Sequence, residues 1–149
     1  MRFQIVLLLM ISLLSGCERG DPTQDLGSAD VRVVDAWVRA MPGGAANRTA
    51  AYLTIINPTN DALNLTAVTT EVASTVELHE TTVENDVMRM RQVDVINVPA
   101  GGQMELSPGG HHVMLLDVRQ RLVEGDSVSL LLDFQERPSI TVRAPVREP

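Results

Sequence analysis

The stretch that decides the fold reads PAGGQMELSPGGHHVMLLDV and spans residues 99–118. Two turn signals, at residues 99–102 and 108–110, each precede a short run that is typical of a β-strand. The same alternation of short runs and turns extends in both directions along the chain. It predicts ten strands, at residues 31–39, 49–57, 63–70, 74–82, 87–93, 95–98, 103–106, 112–118, 127–135 and 140–144.

Short strands at this regular spacing predict an all-β fold, an antiparallel sandwich or barrel with Greek-key connections. No amphipathic pattern with the helical period stands out, and no internal repeat is visible. We therefore expect a single domain over residues 31–149. The composition is 44% hydrophobic with only 3% aromatic residues, which predicts a core built from Val, Leu and Ile.

The charge pattern excludes one class of partner. The formal net charge is -7, and all twelve basic residues are arginines that form no basic run. Proteins that bind nucleic acid concentrate positive charge in patches or stripes, so a nucleic-acid partner is not expected.

The first residues predict a targeting segment. Arg2 precedes an apolar stretch at residues 3–14 that is too short to span a bilayer. The stretch ends in Leu-Ser-Gly-Cys at residues 14–17, which resembles a bacterial lipobox. The resemblance implies a lipoprotein signal peptide over residues 1–16, acylation of Cys17 and membrane anchoring, followed by a polar flexible tether over residues 17–30. The alternative is an ordinary secretory peptide with an incidental cysteine.

Cys17 is the single cysteine of the chain. If it is acylated, the mature protein contains no thiol. That excludes a disulfide, a Cys-x-x-Cys redox motif and the cysteine ligand of a blue-copper centre. Any metal chemistry must then use histidine and methionine.

Four soft side chains are the candidate metal ligands: His79, Met90, His112 and Met114. Two imidazoles and two thioethers suit Cu(I) far better than Mg²⁺, Ca²⁺ or Mn²⁺, which prefer oxygen ligands. Strand alternation places His112 and Met114 on one face, with Val113 on the other, close to the strand end that follows the turn at 108–110.

A hairpin can relate the other two ligands. If its turn is centred between Glu84 and Asn85, His79 lies directly opposite Met90, with Cβ atoms roughly 4.5–5.5 Å apart. A shift of one turn residue would misalign this pair. We interpret Met41, Met88, Met104 and His111 as structural residues. Met88 shares the strand face of Met90, where its thioether can add to a soft rim of the site. We interpret Trp37 and Tyr52 as core aromatics.

The spacing His-x10-Met-x21-His-x-Met resembles that of the periplasmic PCu(A)C copper chaperones, also called the DUF461 family. Segments 76–80, 87–91, 99–102 and 108–115 share the resemblance, as do segments 35–39 and 50–57 upstream. It covers nearly the whole predicted domain. Two departures are Glu80, where some members carry a second methionine, and residues 142–149, which contain no Met or His where some members carry a Met- and His-rich tail.

The resemblance implies a cupredoxin-like β-barrel that binds Cu(I) at an exposed edge through His79, Met90, His112 and Met114. It also implies copper delivery toward the cytochrome c oxidase copper centres, beside Sco-type proteins, on the periplasmic side of the cell envelope. We therefore expect a copper carrier and no enzyme.

Two other classes of function stay open. A hydrolase could be recognised by a Gly-x-Ser-x-Gly elbow, but the sequence contains no such motif. A histidine-brace oxygenase would need an N-terminal histidine, whereas the predicted mature terminus is Cys17. The remaining alternative is a metal-free β-sandwich lipoprotein with an adhesion or assembly role.

Overall fold

Ten strands joined by turns make up the part of the chain that the computed structural model describes, residues 30–41 and 47–148. This part contains no helix, and so none that is long and apolar enough to cross a membrane. The predicted signal peptide, Cys17 and nearly all of the tether lie outside the described residues. The strands are β1 (Arg32–Arg39), β2 (Thr49–Asn57), β3 (Leu63–Thr69), β4 (Ala73–Glu84), β5 (Val87–Gln92), β6 (Ile96–Val98), β7 (Gly102–Leu106), β8 (His111–Val118), β9 (Ser127–Phe134) and β10 (Ile140–Arg147).

All ten predicted strands are confirmed, with ends that shift by a few residues. They form one continuous sheet, in which nine strands follow the order β5-β4-β8-β2-β1-β10-β9-β3-β6 and β7 pairs with β2 off this path. Strand β8 pairs with residues 49–51 of β2, and strand β7 pairs with residues 53–57 of β2. The turn at residues 107–110 therefore lies between β7 and β8, along the same edge of β2.

One pairing differs from the antiparallel prediction. Strands β1 and β10 run parallel, with Val38 beside Val146, whereas every other pairing among the described strands is antiparallel. The Ala40 amide donates to the Arg147 carbonyl at 2.9 Å just beyond this pairing. The β1–β10 pairing joins two halves of the sheet, β5-β4-β8-β2-β1 and β10-β9-β3-β6. It satisfies backbone groups that would otherwise lie at two open edges.

The core lies between these two halves and is aliphatic, as the composition predicts. Phe134 is the aromatic member of the buried cluster. Each fully buried Leu or Ile side chain contributes about 1.5–3 kcal/mol relative to an exposed one. Fully buried members from the two halves are Leu53, Ile55, Val113, Leu115, Leu65, Leu130 and Leu132.

The β4–β5 hairpin has a different register from the predicted one. Its two-residue turn is Asn85 and Asp86, with φ values of 51° and 62°, which is typical of a type I′ turn. The turn centre therefore lies one residue later than predicted, and Met90 pairs with Thr81 instead of His79. Because the partner changes by two residues, Met90 keeps the face of His79 and becomes its diagonal neighbour.

Candidate metal centre

Strands β4 and β8 bring the two candidate histidines together. His79 and His112 are direct cross-strand partners, and their ring centroids lie 5.6 Å apart. Val113 and Leu115 are fully buried in the core, so His112 and Met114 occupy the opposite face, as predicted. Strand β8 begins at His111, directly after the turn, which places the pair near the strand end.

The orientation of His112 is fixed by its own backbone. Its Nδ1 lies 3.0 Å from the Gly110 carbonyl oxygen. A carbonyl only accepts hydrogen bonds, so Nδ1 donates and Nε2 carries the lone pair. That Nε2 is buried and has no hydrogen-bond partner among the described residues. A neutral imidazole with a free lone pair is the form that binds metal.

His79 shows the same arrangement with the nitrogens exchanged. Its Nε2 lies 2.7 Å from Oε2 of Glu77 and donates to that carboxylate. Its Nδ1 is buried and has no partner within the described part of the chain. A carboxylate that orients the second nitrogen is the usual neighbour of a metal-bound histidine.

The thioethers lie on the same face. Met114 pairs with Glu77 on β4 and with Ala50 on β2. Met90, on the edge strand β5, is 52% exposed. Met90, His112 and Met114 line one cavity of about 450 Å³. The structure thus brings three of the four predicted ligands to one cavity, while His79 lies beside it against the ring of His112.

Tyr52 is only 5% exposed and belongs to the buried hydrophobic residues, so its interpretation as a core aromatic is confirmed, and it also belongs to the surroundings of this cavity. It lines the cavity, and its ring centroid lies 6.4 Å from that of His112. Its neighbours Ala51 and Leu53 point into the core, so alternation places Tyr52 on the other face. Trp37 packs on Tyr52 with the ring centroids 4.6 Å apart, and Trp37 itself is half-buried and lies outside the core cluster.

The remaining candidates behave as predicted. Met88 lines the cavity as a rim residue and is 68% exposed. Met41 is buried in the core, and Met104 packs partly buried against it. His111 points to the opposite face, where its Nε2 lies 3.7 Å from Oε1 of Glu80.

The environment favours a neutral His112. Burial, with smaller electrostatic contributions from His79, His111 and Arg39, lowers the pKa of His112 below its ordinary value of 6.5, against an opposing contribution from the Gly110 hydrogen bond. Within the described residues, no three His, Cys, Asp or Glu side chains are placed to hold a metal ion together. A metal ion held here would therefore need the thioethers as ligands, and thioethers favour soft ions.

Comparisons of sequence identify relatives. Residues 31–146 match the model of a family described as "Putative lipoprotein LpqE-like". A "Putative lipoprotein" of Leifsonia xyli subsp. xyli is 32% identical over 119 residues, which cover 79% of this chain and 70% of the relative. An uncharacterized protein of Rickettsia prowazekii is 27% identical, with 79% and 67% covered.

Comparisons of structure agree with the predicted fold. The copper-bound PCuAC domain from PmoF2 matches with a TM-score of 0.67 at 23% identity, covering 80% of this chain and 93% of that domain. The solution structure of CuI-DR1885 from Deinococcus radiodurans matches with a TM-score of 0.63 at 30% identity, covering 76% and 75%. The predicted cupredoxin-like fold and the resemblance to PCu(A)C domains are confirmed, and the chain belongs to the LpqE-like, or DUF461, family.

Proposed function

We propose that this protein binds one Cu(I) ion through His79, Met90, His112 and Met114 and acts as a copper chaperone. One observation carries the proposal. Two neighbouring imidazoles each have one nitrogen fixed by a hydrogen bond and the other buried with no partner among the residues that the structure describes. Buried polar atoms without partners are rare and call for an explanation, which a bound metal ion supplies.

The chemistry of the four side chains fits a carrier. Thioethers are soft and uncharged, so they select Cu(I) without the strong hold of thiolates. The exposure of Met90 lets a ligand of a partner protein replace it while His112 still holds the ion. The solved relatives whose descriptions name copper-bound forms support the choice of copper.

A carrier fits this ligand set better than an enzyme does. Catalytic metal sites keep an open coordination position for water or substrate. Four protein ligands on one copper ion leave no such position, which fits a carried ion better than a catalytic one.

The proposal extends to location and delivery. We place the protein at the cell envelope on the periplasmic side, anchored through acylated Cys17 and joined to the domain by residues 18–30. The descriptions of the family and of the Leifsonia relative as lipoproteins support the anchor. The family resemblance supports delivery toward the copper centres of cytochrome c oxidase, with a Sco-type protein as partner.

A competition titration of residues 31–149 tests the binding step. Cu(I) is added in the presence of a chromophoric chelator, and Zn²⁺ competes in a parallel series. We expect one Cu(I) per chain and a strong preference for Cu(I) over Zn²⁺. Equal or tighter Zn²⁺ binding contradicts the assignment, and no binding of either ion favours the metal-free alternative.

A further inference from the structure

The cavity that three of the candidate copper ligands line carries positive charge. Arg39 and Arg48 line it together with His112 and Met114, and the described residues of its lining include no Asp or Glu. The chain as a whole has a net charge of -7, so this local charge runs against the composition. Positive side chains repel a bound copper cation. Their position therefore calls for a role other than holding copper.

A backbone irregularity places Arg39 on this face. Strand β1 contains one extra residue between Val34 and Trp37, where Asp35 has a φ of 53°. Such a bulge changes which face the following side chains occupy. After it, Trp37 pairs with Tyr52, and Arg39, two residues later, shares their face. The guanidinium carbon of Arg39 lies 5.8 Å from the centroid of the Tyr52 ring.

Neither cavity arginine is neutralised by the described residues. Arg89 and Arg91 form ion pairs with Glu84 and Glu80, whereas Arg39 forms none with the described carboxylates, and the same holds for Arg48. The Nε atom of Arg39 is buried and lacks a hydrogen-bond partner in the described ranges.

The neighbouring segment supplies no counter-charge, because residues 42–46 contain no acidic side chain. An arginine fork without a partner matches a carboxylate in shape and charge.

We propose that this cavity is the docking site for an acidic segment of the protein that exchanges copper with this one. A carboxylate of the partner pairs with Arg39 and Arg48, while apolar groups of the same segment pack on Met88 and Met114. The pairing brings the partner's copper ligands beside the exposed thioethers. Charge complementarity of this kind accelerates encounter and selects partners. The proposal rests on the proposed copper-carrying function.

Copper transfer to synthetic acceptors tests the docking site. Two peptides share one length and one Met-x-x-Met copper-binding centre, flanked by Asp in one peptide and by Lys in the other. Transfer from the loaded protein to each is followed by stopped-flow optical detection. We expect transfer to the acidic peptide to be about tenfold faster at low salt. The difference should vanish near 1 M salt, where the screening length is about 3 Å.

Substitutions assign the effect to the cavity. Arg39→Gln and Arg48→Gln should each slow transfer to the acidic peptide about threefold or more, because a charge at a docking rim mainly changes the association rate. Arg143, an exposed residue of β10, lies outside the cavity lining, so Arg143→Gln removes the same charge and is the matched control. If it slows transfer equally, the effect is one of net charge and the docking proposal is wrong.

The experiment separates failure of docking from failure of copper binding. Cu(I) affinity is measured first for every variant, and loss of a positive charge should not weaken it. If the unaltered protein does not bind Cu(I), the proposed function fails. If it binds Cu(I) but transfers it to both peptides at one rate, the docking proposal alone is overturned. Equal inhibition of both transfers by millimolar citrate would indicate a small-anion site and would also overturn it.

Discussion

The two sides of the candidate centre differ in how firmly the fold holds them. His112 and Met114 lie on β8, which has a strand on each side, and His112 is only 4% exposed. Met88 and Met90 lie on β5, an edge strand with all six residues exposed. We call His79, His112 and Met114 the inner side, and Met88 and Met90 the outer side.

The difference shows how one site can both select and release an ion. On the inner side, hydrogen bonds fix the two imidazoles before metal arrives, so little ordering remains at the moment of binding. On the outer side, a thioether on a flexible side chain can be exchanged without disturbing the core. Substitutions on the two sides should therefore differ in their effects on copper affinity and on stability.

The largest expected effect lies on the inner side. His112→Ala removes a preoriented candidate ligand and should lower Cu(I) affinity by more than about 100-fold, because even outer-shell partners of metal ligands typically contribute 10–100-fold. Chelator competition measures the change. His111→Ala is the matched control, since it removes the adjacent imidazole from the opposite face. Equal losses in the two variants would show that His112 is not a ligand.

Glu77→Ala should have the next largest effect. The carboxylate accepts from Nε2 of His79 at 2.7 Å and so leaves Nδ1 free to bind. Its removal should reduce Cu(I) affinity by about 10–100-fold. Glu77→Gln retains an acceptor oxygen and should lose less. If both variants bind copper as tightly as the unaltered protein, His79 needs no orientation by Glu77 and the inner side is less preset than we infer.

The two methionines allow a direct comparison of the two sides. Met114→Leu and Met90→Leu should each weaken Cu(I) binding on the order of tenfold, which corresponds to about 1.4 kcal/mol. Volume-conserving apolar replacements usually change stability by less than about 1.5 kcal/mol, and the exposed Met90 should show the smaller change. Urea unfolding and chelator competition measure both quantities. Large losses of stability with unchanged copper affinity would identify these methionines as packing residues.

Much of the fold was predictable because its signals are local. Alternation along 112–118 identifies which side chains face the core, and glycine and proline mark the turns. The β1–β10 pairing was not predictable, since it joins distant segments in parallel. The hairpin register was missed because Asn85 and Asp86 both adopt positive φ without a glycine to signal the turn.

The site was predictable in residue type and less so in arrangement. Spacing and family resemblance identified the four candidate ligands. The orienting roles of Glu77 and the Gly110 carbonyl, and the place of Tyr52 beside His112, depend on cross-strand register and on side-chain rotamers. The alternation of side chains over residues 49–53 did predict the face that Tyr52 occupies, because the residues on either side of it are small or aliphatic core residues.

The smallest expected effect is the pH dependence of stability in the metal-free protein. Burial lowers the pKa of His112 below 6.5, the value expected for the unfolded chain. Above that pH, both states are neutral at this residue and its contribution is constant. As the pH falls below about 6.5, the unfolded state takes up a proton first, so the free energy of unfolding decreases until the folded pKa is reached.

The limiting slope for one proton is about 1.4 kcal/mol per pH unit. Urea unfolding of metal-free protein between pH 7.5 and 5 measures it, with His112→Gln as the comparison. The variant should lose stability less steeply over this window, because it no longer has an imidazole that the folded state keeps neutral. Identical slopes for the two proteins would mean that His112 is as easily protonated in the folded chain as in the unfolded one. The inner side would then lack the preset neutral ligand that distinguishes it from the outer side.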